Sequence, residues 1–257
     1  MRGLISLPTP VGFSTMSDDE RAKQIATFRR AMPITRTLDY GMTRHQAERA
    51  HREVQEGEPW DEALEAIAAT SARSAEVADA AGRSTEAAQF WRASAACPIF
   101  AQMAFNFDTD RKRSLYRRMT ASFAEFARHT PLAIDKVEVV FGTGRLFGWH
   151  CRESAQTRAP TVIVLGGMSG WSTAYFAMAE ALCDRGLSCL LVDGPGQGES
   201  RLEGRVFLDA EVSKGFARFV DVARDVSGNA SVGIWGNSFG GLFAALTAAT
   251  DPRVSAC

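Results

Sequence analysis

Ser238 is the residue of this chain whose surroundings best suit covalent chemistry. It sits in Gly236-Asn237-Ser238-Phe239-Gly240, after the apolar run Ser231-Val232-Gly233-Ile234-Trp235 and before Gly241-Leu242-Phe243-Ala244-Ala245-Leu246. Strand, sharp turn and helix in that order is the setting in which a G-x-S-x-G turn presents a nucleophilic hydroxyl. Gly236 and Gly240 are the elbow glycines of this reading, because a side chain at either would clash where the helix packs onto the strand. The serine would then protrude from the end of the sheet, beside the free amides of a helix N-terminus. A plain strand-to-helix turn is the competing reading, since the pentapeptide alone is common.

Attack on a carbonyl creates an oxyanion, which two backbone amides usually stabilise. Phe239, the residue after the serine, supplies one. The other is expected in Gly166-Gly167-Met168-Ser169-Gly170-Trp171, the loop after the first continuous apolar run. Position favours the Met168 amide, with Gly167 as the second choice. Trp171 is a candidate substrate contact, with core packing as the competing reading. Asp193-Gly194-Pro195-Gly196-Gln197-Gly198-Glu199-Ser200 looks like a nucleotide loop, but Glu199 holds the third glycine position of G-x-G-x-x-G and no Walker lysine is present. A tight loop at the carboxyl edge of the sheet accounts for it better.

Enzymes built on this elbow place serine, acid and histidine in that chain order. His45, His51, His129 and His150 all precede Ser238, and only Thr247 to Cys257 follow the elbow helix. Asp193 lies at the wrong strand for the acid, and His150 belongs to an early hairpin remote from the elbow. The acid and base are therefore expected beyond residue 257. The chain reads as truncated after the nucleophile helix, with little turnover of its own.

The elements that must position Ser238 follow from two different sequence patterns. Residues 1–16 read as a leader interrupted by Pro8 and Pro10. Residues 17–131 read as an all-helical cap. Ser17 with Glu20 and Thr43 with Gln46 form capping boxes, Met32-Pro33 ends the first helix and Gly57 closes another. Trp60, Leu64, Ile67 and Val77 mark one stripe of a long helix ending near Gly82. A helix from Ser84 is expected to bend or break at Pro98, and Leu115, Met119, Phe123 and Phe126 define the last one.

Residues 132–257 read as the core. Lys136–Phe141 and Arg145–Cys151 are strands joined by Gly142-Thr143-Gly144, and Thr161–Leu165 is a strand buried on both faces. A helix over 174–183, a strand over 188–192 and an amphipathic helix carrying Val212, Phe216, Phe219, Val220 and Ala223 lead to the elbow strand. The class is α/β, a doubly wound, mostly parallel sheet begun by an antiparallel hairpin.

With 29 Lys and Arg against 30 Asp and Glu, the net charge of -1 gives no basis for nucleic acid or an anionic membrane surface as partner. No apolar run is long enough to span a bilayer. The charges interleave along helices, as in Arg44-His45-Gln46-Ala47-Glu48-Arg49, which is the pattern of a solvated face. Five scattered cysteines without a C-x-x-C pair argue for reduced thiols in a cytoplasm and against a zinc site. A homo-oligomer is compatible with this composition.

The helical region from Trp60 to Phe126, Val164 to Trp171, Arg185-Gly186, the stretch from Val192 to Glu199 and Gly236 to Gly241 together resemble the α/β-hydrolase superfamily. They are similar to its branch with an N-terminal helical cap, that of the fermentation–respiration switch protein and dihydroxypseudooxynicotine hydrolase. The resemblance covers nearly the whole chain, and the Asp-Gly-Pro-Gly-Gln-Gly-Glu string is its most specific part. It implies an incomplete α/β-hydrolase core, Ser238 as nucleophile, and Met168 and Phe239 as oxyanion donors. It also implies a small carbonyl substrate cleaved at an ester or an activated carbon–carbon bond, with no metal or organic cofactor. The alternative is a non-catalytic relative that binds a ligand or partner through its cap.

Overall fold

A computed structural model describes residues 17–155, 158–228 and 230–257. The expected leader, residues 1–16, lies outside the described residues.

Seven elements precede the sheet: α1 (Asp18–Ala31), α2 (Ile34–Asp39), α3 (Arg44–Glu56), α4 (Trp60–Ala80), α5 (Ser84–Ala101), a 3-10 turn (Gln102–Ala104) and α6 (Asp110–His129). Both capping boxes form, at Ser17–Glu20 and Thr43–Gln46, so the first amides of α1 and α3 have acceptors. Gly57 ends α3 at φ 113°. Helix α2, whose N-cap is Pro33, has no counterpart in the sequence reading; six residues are too few to show a helical period.

One expectation for these helices fails, and of the bend or break expected at Pro98 the break does not occur. Val77 is 64% exposed and does not share the buried stripe of Trp60, Leu64 and Ile67. Helix α5 runs through Pro98 to Ala101 without ending there. Every residue from Ala93 to Ala101 is buried, and packing on all sides offsets the roughly 3 kcal/mol that an interior proline costs.

The core supplies β1 (Leu132–Phe141), β2 (Gly144–Glu153), β3 (Thr161–Leu165), α7 (Phe176–Cys183), β4 (Ser188–Asp193), α8 (Gly198–Leu202), α9 (Val212–Ser227), β5 (Val232–Gly236), α10 (Phe239–Thr250) and β6 (Val254–Ala256). They form one six-stranded sheet in the order β1-β2-β4-β3-β5-β6. The hairpin β1–β2 and the β2–β4 pair are antiparallel, and β4, β3, β5 and β6 run parallel. The hairpin turn is shorter than expected, with Phe141 opposite Gly144 and two residues between. The Asp193–Ser200 segment is a loop only in part, since its end forms α8.

The period-2 alternation of the central strands sorts two apolar clusters. Ile163, Leu165, Leu190 and Val192 face α9 and α10 and pack with Phe216, Phe219 and Phe243. Val164, Cys189 and Leu191 face the other way and join Trp149, Phe123, Phe126 and Phe176 in a cluster continuous with Trp60, Leu64 and Phe100 of the helical layer. The sheet is thus covered on both faces, which is why β3 and β4 read as unbroken apolar runs.

Candidate active site

The end of β5 turns into α10 at Ser238, whose backbone sits at φ 54°, ψ -121°. Among the described residues only Arg205 and Ser238 hold positive φ without being glycine. Asn237 N–H donates to Leu165 O at 3.0 Å and Gly240 N–H to Asn237 O at 2.8 Å, so the turn is fixed on both sides. A Cβ at Gly236 would lie 2.1 Å from Gly240 O, and one at Gly240 would lie 2.5 Å from Gly166 O. Both contacts are with backbone, so neither position admits a side chain without moving the elbow against the first parallel strand.

Ser238 is exposed at the N-terminus of α10, and its side chain makes no capping bond to that helix. The 166–171 loop lies directly opposite: a Cβ on Gly167 would be 3.2 Å from Ser238 Cβ. Gly167, Met168 and Phe239 line one cleft of ≈ 130 Å³ together with Pro195, Gln197, Arg201, Leu208 and Phe243. Met168 is 80% exposed and Phe239 is 39% exposed. Gln197 holds the loop's other side, donating through Nε2 to Gly166 O at 2.7 Å and Gly167 O at 3.1 Å. The Gly167 backbone lies close enough to the Tyr175 phenol to oppose the effect of burial on it.

Tyr175 was not singled out by sequence, yet it ties the two halves of the site together. Its hydroxyl accepts from Asn237 Nδ2 at 2.8 Å and meets the hydroxyl of Tyr40, the residue that caps the end of α2. Burial pushes the Tyr175 phenol up to about 12, against the opposing effect of the Asn237 bond, so it stays neutral. Arg36, on α2, donates to Ser169 Oγ at 3.1 Å. Such contacts span 62 and 133 positions of chain, beyond the reach of any local pattern.

Asp193 ends β4 fully buried. Burial raises its carboxyl to about 6, although Tyr116 Oη at 2.5 Å and Glu199 N–H at 2.8 Å both favour the charged form. These bonds point it into the seam between α6 and the sheet. His150, expected to be remote, is on β2 opposite Leu190 and is buried, with burial lowering its pKa to about 4. His51 Nε2 lies 3.1 Å from Met32 O, His129 lies beside Ser84 and Asp79, and His45 is exposed on α3. None of the four is brought to Ser238. Trp171 is buried against Tyr116, with ring centroids 5.9 Å apart. Among the described residues no cluster of His, Cys, Asp or Glu could hold a metal ion.

Sheet order, elbow and loop define a class. Residues 160–257 match the family described as alpha/beta hydrolase fold. The chain is 29% identical over 188 residues to a 2,6-dihydropseudooxynicotine hydrolase of Paenarthrobacter nicotinovorans, an alignment covering 69% of this chain and 48% of that protein. It is 31% identical over 168 residues to the alpha/beta hydrolase ucsC of Acremonium sp, covering 56% and 33%. The chain therefore spans half or less of the length of these curated relatives. The crystal structure of a 2,6-dihydroxy-pseudo-oxynicotine hydrolase superposes with a TM-score of 0.75 at 24% identity, over 86% of this chain and 62% of that one. AbyA5 superposes with a TM-score of 0.54 at 21% identity, over 73% and 50%, and shares the fold.

Residues 160–257 are thus similar to the alpha/beta hydrolase fold family, and the chain as a whole resembles these hydrolases in fold. Its likeness to the first of these relatives takes in the helices before the sheet as well as the core.

Proposed function

We propose that this protein is a serine hydrolase acting on a small carbonyl compound, an ester or a carbon–carbon bond activated by an adjacent carbonyl. Ser238 Oγ attacks the carbonyl carbon, and the Met168 and Phe239 amides receive the charge that develops on its oxygen. Collapse of the tetrahedral intermediate breaks the ester C–O or the C–C bond, the departing alcohol or carbon takes up the proton given by Ser238, and water hydrolyses the acyl group left on Ser238 to a carboxylic acid. The observation that carries this reading is the strained, exposed backbone of Ser238 at the start of α10, facing the 166–171 loop. Strain of this kind persists where surrounding structure enforces it, and here Gly236, Gly240 and Gly166 do so by backbone contact.

None of the four histidines is near the elbow, so the proposed chemistry takes its base and acid from outside residues 1–257. An amide-only site retains about 10³–10⁴ over water in serine proteases stripped of triad members, which sets the expected level for this chain. Four buried, unpaired cysteines support a reducing cytoplasm as its setting.

A second reading rests on one observation: among the described residues, neither imidazole nor carboxylate bonds to Ser238 Oγ. On that ground the protein is a non-catalytic binder of the same class of ligand. Incubation with a fluorophosphonate separates the two. Slow labelling that disappears in Ser238→Ala, and accelerates when residues downstream of 257 are supplied, supports the hydrolase. No labelling under either condition refutes it.

A further inference from the structure

Beside the oxyanion loop lies a buried polar seam that the chemistry at Ser238 does not use. Lys112, in the first turn of α6, is 7% exposed. Its Nζ donates to Phe105 O at 3.0 Å and lies 5.5 Å from the centroid of the Trp171 ring. An ammonium has three protons to donate, and among the described residues no carboxylate approaches it within ion-pair distance. Asp108, the acidic group that acts on it, is bound by Arg201 Nε at 2.8 Å, and the two exert opposite effects on Lys112. Its charge is left buried with little compensation, which is a costly arrangement unless something supplies an acceptor. Trp171, facing it, is 8% exposed, and its Nε1 is buried without an acceptor.

Two buried donors on opposite elements, the helical layer and the oxyanion loop, are therefore short of the same thing. Trp171 follows Met168 by three residues, so the two backbones are at most ~11 Å apart. Arg201, which borders this seam, also lines the cleft with Met168 and Phe239.

We propose that Lys112 Nζ and Trp171 Nε1 form a subsite for a carboxylate carried by the substrate at a distance from the carbonyl that Ser238 attacks. This rests on the hydrolase reading and narrows it to oxo-acids and carboxylate-bearing esters. The carboxylate accepts from both donors and gives Lys112 its counter-charge, while the rest of the ligand extends toward the apolar cleft of Leu208 and Phe243. Asp108 Oδ2 stays with Arg201, and its Oδ1 is buried without a partner but outside ion-pair reach of Lys112.

The test uses hexanoate and hexanamide, which differ in charge but hardly in shape, with the Trp171 indole N–H followed by NMR and assigned by Trp171→Phe. The expected result is a shift of that resonance by hexanoate and a preference for hexanoate of at least roughly tenfold. Lys112→Met abolishes the preference and Lys112→Arg restores it. Equal binding of the two ligands by the unaltered protein overturns the subsite, whether or not Lys112→Met folds. So does a preference that survives in Lys112→Met. Fluorophosphonate labelling is scored separately: a reactive Ser238 with no carboxylate preference removes the subsite alone. A Lys112-dependent preference with an inert Ser238 retains the subsite and removes the hydrolase reading.

Discussion

Ser238 is strained, and the strain can be measured by removing its Cβ. At φ 54°, ψ -121° an L side chain meets its own backbone, whereas glycine does not. A residue held in such a region costs about 1–3 kcal/mol. Glycine releases that strain but adds unfolded-state freedom worth about 0.5–1 kcal/mol. The Ser238 hydroxyl is exposed and caps nothing, so little else is lost. Ser238→Gly should therefore stabilise the fold by about 0.5–2 kcal/mol. Ser238→Ala keeps the Cβ and should change stability by less than about 0.5 kcal/mol. At roughly 2–4 °C per kcal/mol for a chain of this size, the glycine variant melts about 1–8 °C above the alanine variant. Thermal and urea unfolding of the two variants side by side give the comparison. A glycine variant less stable than the alanine variant would refute the claim that the elbow stores strain, and with it the main support for a presented nucleophile.

Gly240→Ala sets a Cβ 2.5 Å from Gly166 O, backbone against backbone, and should cost about 1–3 kcal/mol in urea unfolding while suppressing fluorophosphonate labelling. An alanine variant of native stability would mean that α10 is free to shift. Asp193 titrates at about 6 when folded, above its ordinary 3.8, so the native state holds an extra proton between those values. That contribution to stability is present in full below pH 4 and is lost as pH rises through 6. Asp193→Asn should thus be more stable than the parent above pH 7, by up to about 3 kcal/mol, with the advantage gone near pH 4. Urea midpoints across pH 4–8 check this, and a difference independent of pH would refute it.

Much of the core was legible because its signals are local. Thr161–Leu165 appears as an apolar run because both faces of β3 are covered, and its bounds match the strand. The capping boxes are four-residue devices and form where they are written. The elbow is likewise a five-residue pattern whose glycines are dictated by contacts of under 3 Å. What was illegible depends on distant partners. Val77 is the exception: it faces solvent because steps of three and four from Ile67 lead through the buried Ser71, Ala75 and Ala78 and miss it. Pro98 carries a helix-breaking signal that the burial of Ala93 to Ala101 overrides. Tyr175, Lys112 and Tyr116 have no motif, and their meaning comes from Asn237, Trp171 and Asp193, which only the fold brings to them.

The seam between helices and sheet explains why the site should not be read from the core alone. The apolar cluster that holds Val164 and Leu191 also holds Trp60, Leu64 and Phe100, so no plane of weak contact separates the two layers at that face. The polar links follow the same route: Tyr116 to Asp193, Arg117 to Glu203 at 2.9 Å, Arg201 to Asp108 at 2.8 Å and Arg92 to Glu180 at 2.8 Å. The exposed pairs among these add little stability. The Tyr116–Asp193 bond differs, because breaking it would leave a buried carboxylate with one oxygen already unpartnered. Of these links, the one from Asp108 ends on Arg201, which lines the cleft with Met168 and Phe239. The helical layer therefore touches the 166–171 loop and its neighbour Tyr175 through Trp171, Ser169 and Tyr175, whereas Leu242 and Leu246 of α10 are exposed. The surroundings of the 166–171 loop thus depend on the helical layer, while the elbow keeps one geometry set by its glycines.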